Sequence, residues 1–192
     1  MLPIEEKKTF SWIEGIKDCS ELKIQMPNTQ MINVMDREGD FFELFDIHRS
    51  NYSNIDLLVR AKHDRSTLGG KKLFETLRQE PAQGDVSIKI PRQSFRPKKS
   101  KQKERPSRPE RIANASIRYT KVEIKPPSNC KDKKPVSIFV VHIKENSPPT
   151  NEKRIEWFLF TTIEVKSIDH ALKCIKWYRL RWRIEDWHRV IK

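Results

Sequence analysis

The apolar residues of this chain change their period near residue 80, and no one kind of element can hold both patterns. Before that point the apolar clusters alternate in kind. Met31-Ile32-Asn33-Val34-Met35 reads as a buried strand that stops at Asp36. A charged turn, Asp36-Arg37-Glu38-Gly39-Asp40, follows it. Asp40 is placed to cap a short helix carrying Phe41, Phe42, Leu44 and Phe45. Asp56-Leu57-Leu58-Val59 leads a second strand that runs into Arg60, Lys62, His63 and Arg65. Strand, helix, strand in this order predicts a βαβ unit with a parallel pair. Residues 5–19, with Trp12, Ile13 and Ile16 at helical spacing, predict a first helix, and Lys71–Gln79 a short later one. Past residue 80 the period is two. Val86, Ile88 and Ile90 alternate with polar residues, as do Ala113, Ala115, Ile117 and Tyr119, then Val122 and Ile124. These predict half-exposed strands in an antiparallel meander.

Ser137–Ile143 and Trp157–Thr162 also have strand character, and Ser167 can cap a closing helix from about residue 168 to 192. The expected fold is α/β. It comprises a core segment over 1–65, a β-rich insertion over 66–155 and a return to the core over 156–192. Hydrophobic residues make up 36% of the chain, below the roughly 45–50% of an average domain. A smaller core with a long polar excursion fits that figure.

Charge points to the partner. Lys and Arg number 39 against 26 Asp and Glu, a net charge of +13. Residues 92–111 hold nine of the cations and only Glu104 and Glu110 as anions. Without apolar periodicity this run predicts a mobile loop or hairpin tip attracted to polyanions, nucleic acid first. The longest apolar runs, Ile138-Phe139-Val140-Val141 and Trp157-Phe158-Leu159-Phe160, fall far short of the ~20 residues of a membrane helix. The first residues carry charge and no apolar signal segment. Cys19, Cys130 and Cys174 show neither zinc nor disulfide spacing, which predicts reduced thiols in a cytoplasmic protein.

The closing helix has two faces. At ~100° per residue, Tyr178, Arg181, Glu185 and Lys192 project within about 60° of one another, and Arg189 joins them. Leu180, Ile184, Trp187 and Ile191 fall opposite and predict the core-facing stripe. The face carrying Glu185 is either a solvated surface with pairs such as Arg181–Glu185 or an active-site face. In the second case the carboxylate would bind a metal and the cations would hold DNA phosphates.

The spacing Tyr178-x2-Arg181-x3-Glu185-x6-Lys192 resembles the YREK signature of bacterial cut-and-paste transposases of the DDE class. The resemblance extends along the chain in the family's order. Glu6–Ile16 is similar to the helix before the second catalytic Asp. Met31–Asp40 resembles the strand ending in that Asp, Leu58–His63 the basic strand, and Glu156–Thr162 the strand with a base-stacking Trp. The resemblance implies a partial RNase H-like core interrupted by the basic β-rich insertion. It implies three carboxylates holding two Mg2+ ions (Mn2+ as substitute), which activate water and later a DNA 3′-hydroxyl. Asp36 matches the second carboxylate and Glu185 the third. Tyr178, Arg181, Lys192, Arg189, Arg60, Lys62, His63 and Arg65 would contact DNA. Trp157 would stack on a flipped base, with Trp182 supporting the same distortion.

The family's first Asp lies on an earlier strand, and Asp18, the sole Asp before Asp36, sits in the predicted first helix. The expectation is therefore an internal fragment of an insertion-sequence transposase, inactive alone, lacking the DNA-binding and dimerisation regions. Its implied partner is duplex DNA at terminal inverted repeats and at flanking or target DNA, and its place is the bacterial cytoplasm, at the nucleoid. The competing expectation is a non-catalytic DNA-binding protein that inhibits transposition. An RNA-binding module fits less well, because no RNP-like aromatic segment or GXXG loop occurs.

Overall fold

The computed structural model describes residues 9–98, 104, 106–181 and 183–191 of the chain. The class is mixed α/β. Its strands are β1 (Ile32–Met35), β2 (Asp56–Arg60), β3 (Gly84–Ile90), β4 (Arg111–Ile124), β5 (Val136–Glu145) and β6 (Glu156–Thr161). All six form one sheet in the order β1-β2-β6-β5-β4-β3. β1 and β2 are parallel, with Val34 opposite Leu58. Every other pair is antiparallel. The helices are α1 (Phe10–Gln25), α2 (Phe42–Asn51), α3 (Leu73–Gln79), α4 (Ile168–Leu180) and α5 (Arg183–Val190).

Alternation along the strands sends side chains to two cores. Leu57, Val59 and Ala61 of β2 and its end join Phe158 and Phe160 of β6, beneath α1, α2 and α3. Leu58 and Leu159 face the other way and meet Ala171, Cys174, Ile175 and Tyr178 of α4. β2 is covered on both faces and its three central residues are buried, as a strand sandwiched between helices must be. β1 ends the sheet, so Ile32, Asn33 and Val34 are only half-buried where the sequence predicted full burial. The segment 66–155 supplies α3 and adds β3, β4 and β5 to this same sheet.

The long strands of the second half follow the period-two pattern closely. β4 and β5 pair over ten residues, from Ala115–Glu145 to Ile124–Val136. β3 and β4 form a hairpin whose ladder passes Ile90, since Gln93 and Arg108 exchange two backbone bonds of 2.8 Å. The basic run is thus the outer part of a hairpin; its residues 99–103 and 105 lie outside the described residues.

Two sequence expectations about caps part ways. Ser167 does cap α4, accepting from the His170 amide at 3.3 Å. Asp40 does not cap α2: Phe41 is the N-cap, and no side chain bonds that helix end. Its carboxylate is drawn instead to stronger donors after β2, described below.

The closing helix departs from expectation more widely. It is two helices, α4 ending at Leu180 and α5 starting at Arg183. The face toward the sheet is Ala171, Cys174, Ile175 and Tyr178, an i, i+3, i+4, i+7 stripe. The stripe expected to face the core is exposed: Leu180 42%, Ile184 49%, Trp187 57% and Ile191 62%. Angular arithmetic does not tell which face of a helix the sheet takes. Tyr178 settles it, because its large ring belongs to the buried cluster. Among the described residues no helix is long and apolar enough to cross a membrane.

Candidate functional site

Asp36 is set by the strand before it. Ile32 and Val34 point to the α4 side of the sheet, and Asp36 follows them in the same phase. At the strand's end the chain turns into a 3-10 helix, Arg37–Gly39, and the Asp36 carboxylate accepts from the Glu38 amide at 2.9 Å. Its other oxygen, Oδ2, lies 3.8 Å from Nη1 of Arg181, just past the end of α4. Asp36 keeps 38% side-chain exposure against 15% for Arg181. The Asp36 carboxylate is therefore open on one side and neighboured by a cation on the other.

Beside it, Arg60 ends β2 on the same face. Its guanidinium sits 5.8 Å from the centre of the Trp157 ring on β6, a cation–π distance. Trp157 in turn meets Tyr178 edge to face at 5.6 Å. Asp36, Arg60, Trp157, Tyr178 and Arg181 come from four elements and their ends, and the fold brings all five to one corner. That corner lies at the C-terminal ends of the parallel strands. In open α/β sheets this is the side where ligands bind.

One of the five sits differently than expected. Tyr178 was expected to project toward DNA with the cations, but it is 2% exposed and packed under Trp157. It supports the Trp157 ring from below. Trp157 is half-buried.

Lys62 and His63 are exposed, and their backbone is fixed by Asp40. One buried carboxylate oxygen of Asp40 accepts from the amides of Lys62 at 2.6 Å and His63 at 2.9 Å. The other accepts from Arg65, from Nε at 3.1 Å and also from Nη2. Arg65 is thereby committed to Asp40, with 10% side-chain exposure, and is a strut of the turn rather than an arm toward solvent. Asp40 stood in the sequence motif but was read as a cap; no local pattern shows that a carboxylate will be claimed by residues 22 to 25 positions away.

The side chains of Glu185 and Arg189 and the whole of Trp182 and Lys192 lie outside the described residues. Mg2+ takes several oxygen ligands. Among the described residues no group of three His, Cys, Asp or Glu is placed to hold a metal ion, and Asp36 has a cation beside it. Those residues alone do not fit a two-metal centre. What they can do is bind and orient an anion: Arg181 beside Asp36 and Arg60 beside Trp157 bring two cations to one corner next to an aromatic ring.

A second polar group escaped the sequence reading. His142 on β5 is fully buried and stacked on Phe158 at 4.2 Å. Its Nε2 lies 3.0 Å from Glu156, which Arg78 holds with two bonds of 2.8 and 2.9 Å. Burial drives the His142 pKa down to about 4, against the smaller opposing pull of Glu156. The Arg78 bonds take Glu156 down to about 2, with His142 helping. His142 is thus neutral near pH 7. This network ties α3 to the sheet, and its members are too far apart in sequence to form a motif. No protein-family model matches the sequence.

Proposed function

We propose that the chain is part of the catalytic core of a DDE-class DNA transposase with the YREK signature, an RNase H-like core carrying a basic β-rich insertion over 66–155. The observation that carries this reading is the corner itself. Residues quoted from four separate stretches of sequence, Asp36, Arg60, Trp157 with Tyr178, and Arg181, converge within one patch at the ends of β1, β2 and β6. The resemblance required such convergence of residues up to 145 positions apart, and nothing in helix or strand periodicity alone would produce it.

On this reading duplex DNA lies across the corner. Arg60, Lys62 and His63 hold backbone phosphates, and the half-buried Trp157 ring stacks on a base turned out of the duplex. Tyr178 keeps the indole from tilting away. The complete enzyme's chemistry is hydrolysis and strand transfer with Mg2+ or Mn2+. No step through the metal is assigned to the residues described here.

One observation favours a second reading, a non-catalytic DNA-binding protein acting as an inhibitor of transposition. Arg181 stands beside the Asp36 carboxylate, which suits phosphate binding more than metal binding. Both readings share the DNA contact. It is tested by Arg60→Gln in fluorescence anisotropy with a 30-bp duplex. Losing one phosphate contact should lower the log affinity–log salt slope by about 1. A slope unchanged by Arg60→Gln removes the corner from the DNA interface.

A further inference from the structure

The sheet face away from the Asp36 corner carries a wide cleft of about 980 Å³. One wall is the loop joining β4 to β5, Lys125–Pro135. The other is the turn after β2, from His63 to Lys72, with the start of α2 as floor. The loop sequence, KPPSNCKDKKP, holds four lysines against Asp132. We propose that this cleft is a second DNA site, a track for the phosphodiester backbone of a duplex that does not depend on the chemistry at Asp36.

The cations are displayed on a fixed frame. Cys130 is buried and anchors the loop in the core under α1, α2 and α3, whereas Trp157 and Tyr178 belong to the opposite cluster. At its start the Lys125 amide donates to the Ser66 carbonyl at 2.9 Å. At its end the Pro135 carbonyl accepts from Arg49 Nη1 at 2.7 Å. Pro126, Pro127 and Pro135 restrict the backbone further. The two walls are therefore tied to each other, and ordering them costs little when a ligand arrives.

Charge and size select the ligand. Lys125 and Lys131 are exposed, and Lys133 pairs at 3.5 Å with Asp46, a carboxylate that Arg49 also holds. Across the cleft, Lys72 bonds the Asp64 carbonyl at 3.1 Å, which leaves its charge uncompensated. Of the lining carboxylates, Asp40 is neutralised by Arg65; Asp64, held by the Phe74 amide, and Glu43 also line the cleft, against Lys72, Lys125, Lys131 and Lys133. Lysines act as point charges for phosphate without demanding one geometry. Spaced along a cleft at the upper end of the ~300–1,000 Å³ range of ligand clefts, they suit a row of phosphates better than a single ion.

The test is salt-dependent binding of a 30-bp mixed-sequence duplex to the full chain carrying Lys125→Gln and Lys131→Gln. Two lost phosphate contacts should lower the log–log slope by about 1.8. Between 50 and 200 mM salt, the affinity lost should then be about tenfold smaller than for the unaltered chain. A charge-matched control, Lys17→Gln with Lys153→Gln, should leave the slope within about 0.5. Circular dichroism checks that each variant is folded. The same decrement should appear in an Arg60→Gln background, which separates this site from the Asp36 corner. Equal slopes for the cleft and control pairs would overturn the proposal. So would amide shifts in the loop with inorganic phosphate but none with duplex. Binding to phosphatidylserine vesicles that depends on these lysines, without binding to duplex, would overturn it in favour of a membrane surface.

Discussion

Replacing Asp40 by Ala should be among the most damaging single changes outside the two apolar cores. The Asp40 side chain is fully buried and that of Arg65 keeps 10% exposure. Removing the carboxylate strands a nearly buried guanidinium, at about 3–5 kcal/mol when one partner of a buried pair is lost. It also orphans the Lys62 and His63 amides, although these lie close enough to water to recover most of their bonding. The terms share one acceptor and do not add, so a total of about 4 kcal/mol is expected. With a urea slope of about 2 kcal/mol/M this moves the unfolding midpoint by about 2 M. Arg65→Met added to Asp40→Ala removes the stranded charge and should recover about half of the loss. A double-mutant cycle would show coupling of at least about 2 kcal/mol, more by whatever Arg65→Met alone costs. DNA binding gives an independent check. Neutralising Asp40 raises the net positive charge, which on charge alone tightens binding; loss of the seat for Lys62 and His63 should weaken it instead. A loss of stability under 1 kcal/mol, or additivity within about 0.5 kcal/mol, would refute the strut.

Two further outcomes follow from the charges. The His142 imidazole has its folded pKa near 4, below the ordinary 6.5, so the unfolded chain binds the extra proton first as pH falls. Stability should decline between about pH 6.5 and 4, by about 3 kcal/mol from this group, and Glu156 should add a further loss from about 4.5 toward 2. In urea titrations at pH 7, 5.5 and 4, His142→Phe should flatten the first part of that decline; an equal decline in the variant would contradict the neutral buried imidazole. In the hairpin, neutralising Arg92, Arg96, Lys98 and Arg108 together should cut the salt slope of duplex binding by up to about 3.6. An unchanged slope would show that the hairpin makes no phosphate contacts.

The parts of this fold legible in the sequence are those set by local chemistry. The parallel β1–β2 pair, the alternating strands around Ile88, Ala115 and Val140, and the Ser167 cap all follow from spacing and residue type. What was not legible depends on competition between distant partners. Asp40 could bond α2 or the turn after β2, and the Arg65 charge together with two aligned amides outweighs a single cap. The buried Arg111–Glu145 pair joins residues 34 positions apart, and nothing in either strand's pattern marks it. In the closing helix the sequence pointed to the Leu180 stripe as the core, and the structure buries the other side. The Tyr178 side takes the sheet because Trp157, Leu159 and Val141 present a matching surface beneath it. The helix break between Leu180 and Arg183 likewise has no Pro or Gly to announce it.

The proposed DNA contact at the Asp36 corner is tested most directly at Trp157 itself. The chain has five tryptophans, whose indole N–H signals can be assigned by single Trp→Phe changes in a 15N-labelled sample. On adding a 30-bp duplex, the Trp157 signal should move or broaden, and Arg60→Gln should reduce that response. Trp12, which packs against the opposite core, should respond less than Trp157. Saturation of the chain with DNA while the Trp157 signal stays in place would contradict the account.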